Sequence, residues 1–506
     1  MQEIINAVNK WANLQPQSPA VTGMDVSLTY CELHEAVCDL RDYLEQQRPK
    51  VLGILMDNSP AWVVVDLAAQ ASGIPLLPIP AFFSAQQIEH AMQETGCDCI
   101  LTDQPERFTS YSTSTTLQFH PLSVLSGSKN KVWELRINLP AASKLDQHIA
   151  KITYTSGTTG TPKGVCLAQH AIDKVAKSLC DTVEMTDKDR HLCVLPLATL
   201  LENIAGVYVP LLAGAQCIVL PMQEIGLRGA SGFDDSQLHR SLVETGASTM
   251  VLVPHLLQQL VEHYEQLPVV NTSLRFVAVG GAPVSPELLE RALECGLPVY
   301  EGYGLSECAS VVSVNHHPHH RPGSVGKPLP HTNIKFANDG EILLKGALFT
   351  GYLGQTPGQS DYLATGDIGY LDEDGYLYIT GRKKNMFITA FGRNVSPDWI
   401  ERELVLEPAI QQAAVFGEGR AWNVALIVRA SNSTDAEINQ AIEKVNENLP
   451  DYARVKTWLA ASEPFSLVNQ QLTATGRLRR NEIWKKYTGL IEDLYITNTD
   501  PHRKSA

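Results

Sequence analysis

Tyr154-Thr155-Ser156-Gly157-Thr158-Thr159-Gly160-Thr161-Pro162-Lys163-Gly164 is the densest chemical signal in the chain. It follows a short apolar run, Ile152–Tyr154, that reads as a strand. Its glycines free the backbone to curl, so that several N–H groups can point at one anion. Thr155, Ser156, Thr158, Thr159 and Thr161 add hydroxyl donors, and Lys163 adds a point charge. The segment is a cradle for a polyphosphate. No Gly-x4-Gly-Lys-Ser/Thr spacing can be drawn through it, so it is not a Walker A loop.

Working outward, strand-like and helix-like pieces alternate. Thr29 to Gln46 predicts a helix opened near Thr29, and Val51 to Met56 a buried strand. Ser59 to Ser72 predicts a helix with Ser59 as N-cap and Pro60 at its first position. Leu76 to Pro80 is short and apolar, Ser84 to Glu94 reads as a helix and Cys99 to Thr102 as a strand. The rhythm continues through Leu192–Leu195, Ala215–Leu220, Thr249–Val253 and Phe276–Val279. It argues for an α/β fold of mostly parallel sheets covered by helices.

Near residue 325 the texture changes. Asn333–Phe336, Gly340–Lys345, Ala364–Tyr370 and Tyr376–Thr380 read as short strands separated by Asn-Asp-Gly and Asp-Glu-Asp-Gly, which are hairpin signals. Residues 325–381 are therefore expected to form a small β-rich subdomain of a large N-terminal domain, 1–381. A boundary is expected at Gly381-Arg382-Lys383-Lys384. Beyond it lie a helix from Pro397 to Leu406 capped by Ser396, strands Gln412–Phe416 and Asn423–Val428, and a helix from Asp435 to Asn448 capped by Ser433 or Thr434. These predict a smaller α+β domain over 382–506.

Composition bounds the function. Lys+Arg is 40 and Asp+Glu is 55, a formal charge of −15 that argues against a general nucleic-acid binder. A nucleotide ligand is still compatible, because a local pocket can be positive on an acidic protein. The 10 cysteines lie mostly in apolar stretches, such as Cys166, Cys193 and Cys217, and read as reduced and buried. Cys97 and Cys99 lack the second cysteine pair that a zinc site needs. His316-His317-Pro318-His319-His320 reads as a solvated loop rather than a metal tract. The start has no basic head followed by an apolar run. The longest apolar stretch, Trp62 to Phe83, is broken by Asp66, Gln70 and three prolines, so no span of about 20 apolar residues exists. A cytoplasmic protein with at most peripheral membrane contact is expected.

Four motifs together carry a resemblance. The segment at 154–164, Tyr303-Gly304-Leu305-Ser306-Glu307, Thr365-Gly366-Asp367 and Gly381-Arg382-Lys383-Lys384 resemble, in order, those of the adenylate-forming superfamily: acyl-CoA synthetases, peptide-synthetase adenylation domains and luciferases. The resemblance runs from about Thr29 to Leu478. Gly280-Gly281-Ala282-Pro283-Val284-Ser285, Arg321 through Pro328, Thr380 through Pro397 and Gly417-Glu418-Gly419-Arg420 are similar to bacterial long-chain fatty acyl-CoA synthetases. The resemblance implies two steps. A carboxylate attacks the α-phosphate of ATP and releases pyrophosphate, and a thiol then displaces AMP to form a thioester. The implied cofactors are ATP, Mg²⁺ and coenzyme A.

The resemblance also implies roles. Thr155, Ser156, Gly157, Thr158, Thr159, Gly160 and Lys163 would cradle phosphate, and Ser306 would keep a hydroxyl contact to it. Glu307 would hold Mg²⁺, which favours a carboxylate plus phosphate oxygens and water. Tyr303, Gly304, Gly281 and Ala282 would border adenine, and Asp367 would accept from the ribose hydroxyls. Arg382 would touch ribose or phosphate. Lys384 would be the hinge, and Gly392 would border the channel for the pantetheine arm. Phe391 stands beside Gly392 where a second glycine is usual, and would narrow that channel. Gly280, Thr199 and Leu200 would line the acyl pocket.

Two departures bear on function. Arg477, in Thr473-Ala474-Thr475-Gly476-Arg477, occupies the place of the family's C-terminal catalytic lysine. It keeps the charge and can bridge carboxylate and phosphate, but it is longer and planar. Thr199 stands where His or an aromatic is usual. The expected function is activation of a medium- or long-chain fatty acid and transfer to CoA. Two alternatives stay open: loading of an acyl carrier protein's phosphopantetheine, and non-catalytic acyl-nucleotide binding.

Overall fold

The computed structural model describes residues 2–108, 118–125, 131–137, 145, 148–155, 163–228, 232–266, 273–282, 284, 286–355, 360–383, 385–391, 393–431, 433–473 and 476–497. Two large sheets dominate it. In the nine-stranded sheet, Pro19–Thr22, Gln216–Ile218, Arg190–Leu192, Thr249–Leu252, Phe276–Val279 and Val299–Tyr303 run parallel, side by side in that order. Antiparallel strands close both of its edges. The eight-stranded sheet has a parallel centre of Cys99–Thr102, Leu52–Leu55, Leu76–Pro78 and Ile149–Thr155. Ile149–Thr155 then pairs antiparallel with Lys163–Ala168, setting Thr155 opposite Lys163. Thr155 and Lys163, at the described ends of the glycine–hydroxyl segment, therefore lie side by side on antiparallel strands. The α/β class read from the sequence holds.

Local chemistry explains the elements. Helix Pro60–Ser72 starts where Ser59 Oγ accepts from the Trp62 N–H and ends where Gly73 takes a left-handed conformation, φ +66°. Residues 60–70 are all buried, as expected for a helix apolar nearly all round. Asp66 interrupts that surface, and a buried charge is costly unless paired. Lys151, 1% exposed, meets it with Nζ 2.7 Å from Asp66 Oδ1. The Tyr208 hydroxyl and the Asn203 amide donate to Asp66 Oδ2 at 2.6 and 3.1 Å. This polar knot joins the helix, the hairpin and the π-helical turn Asn203–Tyr208.

The β-rich sheet comprises Asn333–Phe336, Glu341–Lys345, Leu363–Leu371 and Leu377–Arg382, antiparallel throughout. Ile410–Phe416, Asn423–Arg429 and Val455–Ala460 form a separate three-stranded sheet. Its side chains alternate. Ala413, Val415, Ala425 and Ile427 join a core with helices Pro397–Val405 and Asp435–Asn448. Ala414, Phe416, Val424 and Leu426 join another with helix Arg480–Thr497.

Some expectations need correction. Ser396 does not cap its helix; its hydroxyl donates instead to the Thr380 carbonyl at 2.9 Å, tying the helix start to the β-rich sheet. The expected strand Leu192–Leu195 lies earlier, at Arg190–Leu192, because the Leu195 N–H turns aside to Glu202 Oε2 at 2.9 Å. Thr434, rather than Ser433, caps Asp435–Asn448, with Glu437 completing a capping box. Among the described residues, no helix is long and apolar enough to cross a membrane.

Glu301 lies on the parallel strand that ends at Tyr303 and is 6% exposed. Burial pushes its carboxyl up to about 7, although Gly323 N–H donates to it at 3.2 Å. A folded-state pKa above the unfolded one means that the native protein holds this proton longer. The resulting stability is complete below the unfolded value and is lost as pH rises through about 7. Thermal unfolding at pH 5 to 8 should therefore show the wild type losing on the order of 2 kcal/mol relative to Glu301→Gln as pH rises. A pH-independent difference between the two proteins would refute the assignment.

Candidate active site

Asp367 is the centre of the first group. It lies on Leu363–Leu371 directly opposite Arg382, the last residue of Leu377–Arg382. Arg382 Nε is 2.8 Å from Asp367 Oδ1. On the other side, the Tyr303 hydroxyl donates to Asp367 Oδ2 at 2.7 Å. Tyr303 ends the last parallel strand of the nine-stranded sheet, and strand ends of α/β sheets are where ligands collect. Each carboxylate oxygen carries two lone pairs, so Asp367 can still accept from a diol. Burial raises its pKa, while Arg382, Tyr303 and Arg477 oppose the rise. Burial and Asp367 push the Tyr303 phenol well above its ordinary value, so it stays a donor. Tyr303 also packs against a small core cluster that includes Cys308, Val312 and Ile342, so the residue serves the core as well as the cleft.

Arg477 reaches this group from far along the chain. Its Nη2 donates to the Gly281 carbonyl at 2.6 Å. The residue as a whole is exposed to solvent, yet protein crowding around the guanidinium, and Arg382 next, lower its pKa. A guanidinium stays charged regardless. Gly281 follows Phe276–Val279 and Gly280, and takes φ +85°, a conformation that favours glycine. Gly280 is buried, Gly281 exposed and Ala282 half-buried.

Glu307 and Lys163 form the second group. Ser306 and Glu307 lie on the short 3₁₀ turn Ser306–Cys308, directly after Tyr303-Gly304-Leu305. Gly304 is required there: a Cβ would sit 1.6 Å from the Ser310 carbonyl oxygen. Glu307 Oε1 accepts from the Tyr352 hydroxyl at 2.7 Å, and Lys163 Nζ lies 5.2 Å from the centre of the same ring. A half-buried carboxylate held by one oxygen fits what Mg²⁺ takes from a protein, namely one hard ligand with phosphate and water completing the shell. Tyr352 had no signature in the sequence, because Gly351–Tyr352 is too short to show periodicity.

Other expected site residues fall elsewhere. Ser156, Gly157, Thr158, Thr159, Gly160, Lys384 and Gly392 lie outside the described residues, and Thr155 is described only as the end of its strand. Phe391 is 76% exposed. Thr199 is half-buried ahead of Leu200–Glu202, and Leu200 is 6% exposed. Among the described residues, no hydrogen bond joins either to the Asp367 group.

His191, Cys193 and Glu202 bring metal-type donors within 4.8 Å of one another. Those donors are already engaged: His191 Nδ1 with Thr249 Oγ1 at 2.9 Å, His191 Nε2 with Glu202 Oε1 at 3.2 Å, and Glu202 Oε2 with the Leu195 N–H at 2.9 Å. The cluster is a packed polar contact.

A buried carboxylate with two guanidiniums beside it, bonded to a tyrosine at the end of a parallel strand, is an arrangement suited to a nucleotide. Residues 8–353 match the AMP-binding enzyme family and residues 384–499 the AMP-binding enzyme C-terminal domain; the chain belongs to this family, within the adenylate-forming superfamily. It is similar to the 2-succinylbenzoate–CoA ligase of Bacillus cereus, 28% identical over 472 residues that cover 87% of this chain and 91% of the relative. The Bacillus mycoides ligase of the same name is 27% identical over 476 residues, covering 88% and 92%. Among solved structures, the fold is similar to o-succinylbenzoate CoA synthetase from Bacillus subtilis in complex with the acyl-adenylate OSB-AMP. That match has a TM-score of 0.74 and 24% identity, and covers 94% of this chain and 97% of the other. An anthranilate CoA ligase in complex with anthranoyl-AMP gives a TM-score of 0.77 and 19% identity, covering 96% of each chain. These relatives form a different branch from the long-chain fatty acyl-CoA synthetases expected from the motifs.

Replacing Asp367 with Asn keeps the shape and removes the charge between Tyr303 and Arg382. AMP affinity measured by titration calorimetry is expected to fall by about 10-fold or more, because hydrogen bonds to a charged group are lost. Unchanged affinity would take Asp367 out of the nucleotide site.

Proposed function

We propose that the protein is an AMP-forming acid–CoA ligase. The observation that carries this reading is the convergence of Tyr303, Asp367, Arg382 and Arg477 at the end of the parallel strand Val299–Tyr303, with Arg477 drawn in to the Gly281 carbonyl at 2.6 Å. In the first step a carboxylate oxygen attacks the α-phosphorus of ATP, the bond to the β-phosphate bridging oxygen breaks, and pyrophosphate leaves. Carboxylate and triphosphate repel, so cations must offset their charges. Lys163, Arg382 and Arg477 supply three. Glu307 is the residue to hold magnesium, which would neutralise phosphate charge when bound. Asp367 orients the nucleoside through the ribose hydroxyls. In the second step the CoA thiolate attacks the acyl carbonyl, the bond from that carbon to the AMP oxygen breaks, and AMP leaves.

For the acid, the relatives favour a compact aromatic carboxylate over a medium- or long-chain fatty acid. Four of the similar proteins and structures cited above act on, or hold, an acid with a benzene ring. The site residues described here serve nucleotide and charge, and do not choose between acids. Transfer to CoA rather than to a carrier protein rests on the same relatives. Arg477 takes the lysine's part, since a guanidinium offers donors to carboxylate and phosphate together.

Pyrophosphate exchange across a panel of aryl and fatty acids tests the reading, with 2-succinylbenzoate, anthranilate and saturated fatty acids as the first members. Exchange with an aryl acid is expected; exchange only with fatty acids would reverse the substrate assignment, and none with any acid would favour a binding protein. Arg477→Ala is expected to slow acid-dependent pyrophosphate release by at least about 100-fold. Transfer from preformed acyl-AMP to CoA should fall by less than about 10-fold, because the charge it stabilises develops in the first step. Equal losses in both steps would sink the role given to Arg477.

A further inference from the structure

Lys163 and Glu307 carry opposite charges, and both are needed by a magnesium-bound polyphosphate under the reading above. Opposite charges on either side of one ring attract, and an ion pair between them would compete with a ligand for both. Among the described residues no ion pair joins them. What lies between them is Tyr352. Its ring faces the Lys163 ammonium, 5.2 Å from Nζ to the ring centre, a geometry of cation–π attraction. Its hydroxyl donates to Glu307 Oε1 at 2.7 Å.

The backbone fixes this ring from two sides. Gly351–Tyr352 pairs antiparallel with Lys163–Ala168, setting Tyr352 opposite Val165, two residues from the lysine. The Thr350 N–H donates to the Cys166 carbonyl and the Leu353 N–H to the Gly164 carbonyl, both at 2.8 Å. Toward the other partner, the Phe349 N–H donates to the Glu307 carbonyl oxygen at 2.7 Å, and the Phe349 ring meets Tyr352 edge-on at 5.0 Å. The strap 349–353 is thus tied to the hairpin that carries Lys163 and to the turn that carries Glu307. Burial and the Glu307 carboxylate both push the Tyr352 phenol above its ordinary value, so it remains a donor.

We propose that Tyr352 is a positioning residue that keeps Lys163 and Glu307 apart, the cation over its ring and the carboxylate on its hydroxyl, so that polyphosphate and magnesium each find their own partner. The proposal rests on the nucleotide reading of the site. It makes separate use of the two halves of one side chain. The hydroxyl orients Glu307 Oε1 and leaves the carboxylate's other oxygen to face the metal. The ring holds Lys163 by attraction to its face, 5.2 Å away, and leaves the ammonium's N–H groups to offer to phosphate oxygens.

Two variants separate these halves. Tyr352→Phe keeps the ring and removes the hydroxyl; Tyr352→Leu removes both. The measurements are ATP and AMP affinity by titration calorimetry on the full chain across a magnesium series, with melting temperature alongside. Tyr352→Phe is expected to raise the magnesium concentration for half-maximal ATP binding by about 5- to 10-fold, the scale of a lost hydrogen bond to a charged group. Its ATP affinity in chelator should match the wild type. Tyr352→Leu is expected to weaken ATP binding several-fold even in chelator. AMP lacks the β- and γ-phosphates, so its affinity should change little in either variant. If ATP and AMP affinities fall together with the melting temperature, Tyr352 is only structural and the proposal fails. It fails equally if Tyr352→Phe leaves the magnesium midpoint in place. A wild type whose ATP binding ignores magnesium would overturn the assignment of Glu307 itself, and is recognised before any variant is made.

Discussion

A single buried carboxylate sets the arrangement of the site. Asp367 sits in an antiparallel ladder, directly opposite Arg382, and burial makes its charge costly unless it is compensated. Compensation comes from the neighbouring strand through Arg382 and from the large sheet through Tyr303. Arg477 adds a third favourable charge from near the end of the chain. Three distant parts of the sequence are thereby held around one pair of oxygens. Arg382 is also the last residue of its strand, so the ion pair anchors the point where the chain leaves the β-rich sheet. Lys383, the next residue, is fastened to the same sheet by Asp339 and Glu341, each at 2.7 Å.

Much of this was legible in the residues. Ser59-Pro60, Thr29 with Glu32, and Ser84 with Gln87 are capping chemistry that acts within a few residues, and all three open helices where expected. Strand Phe276–Val279 and strand Cys99–Thr102 fall on the expected residues because a parallel strand covered on both faces is largely apolar. What the sequence could not show depends on distant partners. The Leu195 N–H leaves its sheet for a glutamate seven residues on, and Ser396 gives its hydroxyl to a carbonyl in another sheet rather than to its own helix. Tyr352 belongs to the same class: two residues of strand carry no period, and its meaning comes only from the hairpin and turn on either side. The Lys151–Asp66 knot is a further case, since a charged residue inside an apolar helix reads as an interruption until its partner is seen.

The branch assignment failed for a different reason. By the resemblance, the motifs used for it serve mainly the nucleotide and the hinge, where different acids of the superfamily would meet the same chemistry. Specificity for the acid comes from the shape of a pocket wall. Shape is set by dispersed apolar positions whose individual contributions are small: one methylene is worth only about 1–3 kcal/mol of discrimination. Motif reading therefore finds the reaction type long before it finds the substrate.

The charges of the first group do not balance on their own. Asp367 carries one negative charge and faces two guanidiniums, Arg382 and Arg477; burial, and Arg382 next, lower the pKa of Arg477. The next carboxylate, Asp398, is already bonded by Arg480 at 2.9 Å and by the Asn385 amide. Arg480 also pairs with Glu401, so the wider cluster is neutral, and Arg382 and Arg477 are the guanidiniums that an anion beside Asp367 would meet. Arginine suits that duty better than lysine in one respect. It can give one N–H to the Gly281 carbonyl and still present the others, whereas an ammonium held in that way has fewer left to offer. The guanidinium at 477 is therefore a residue that can be anchored and active at once, and the Gly281 contact is what allows its greater length to be used without loss of position.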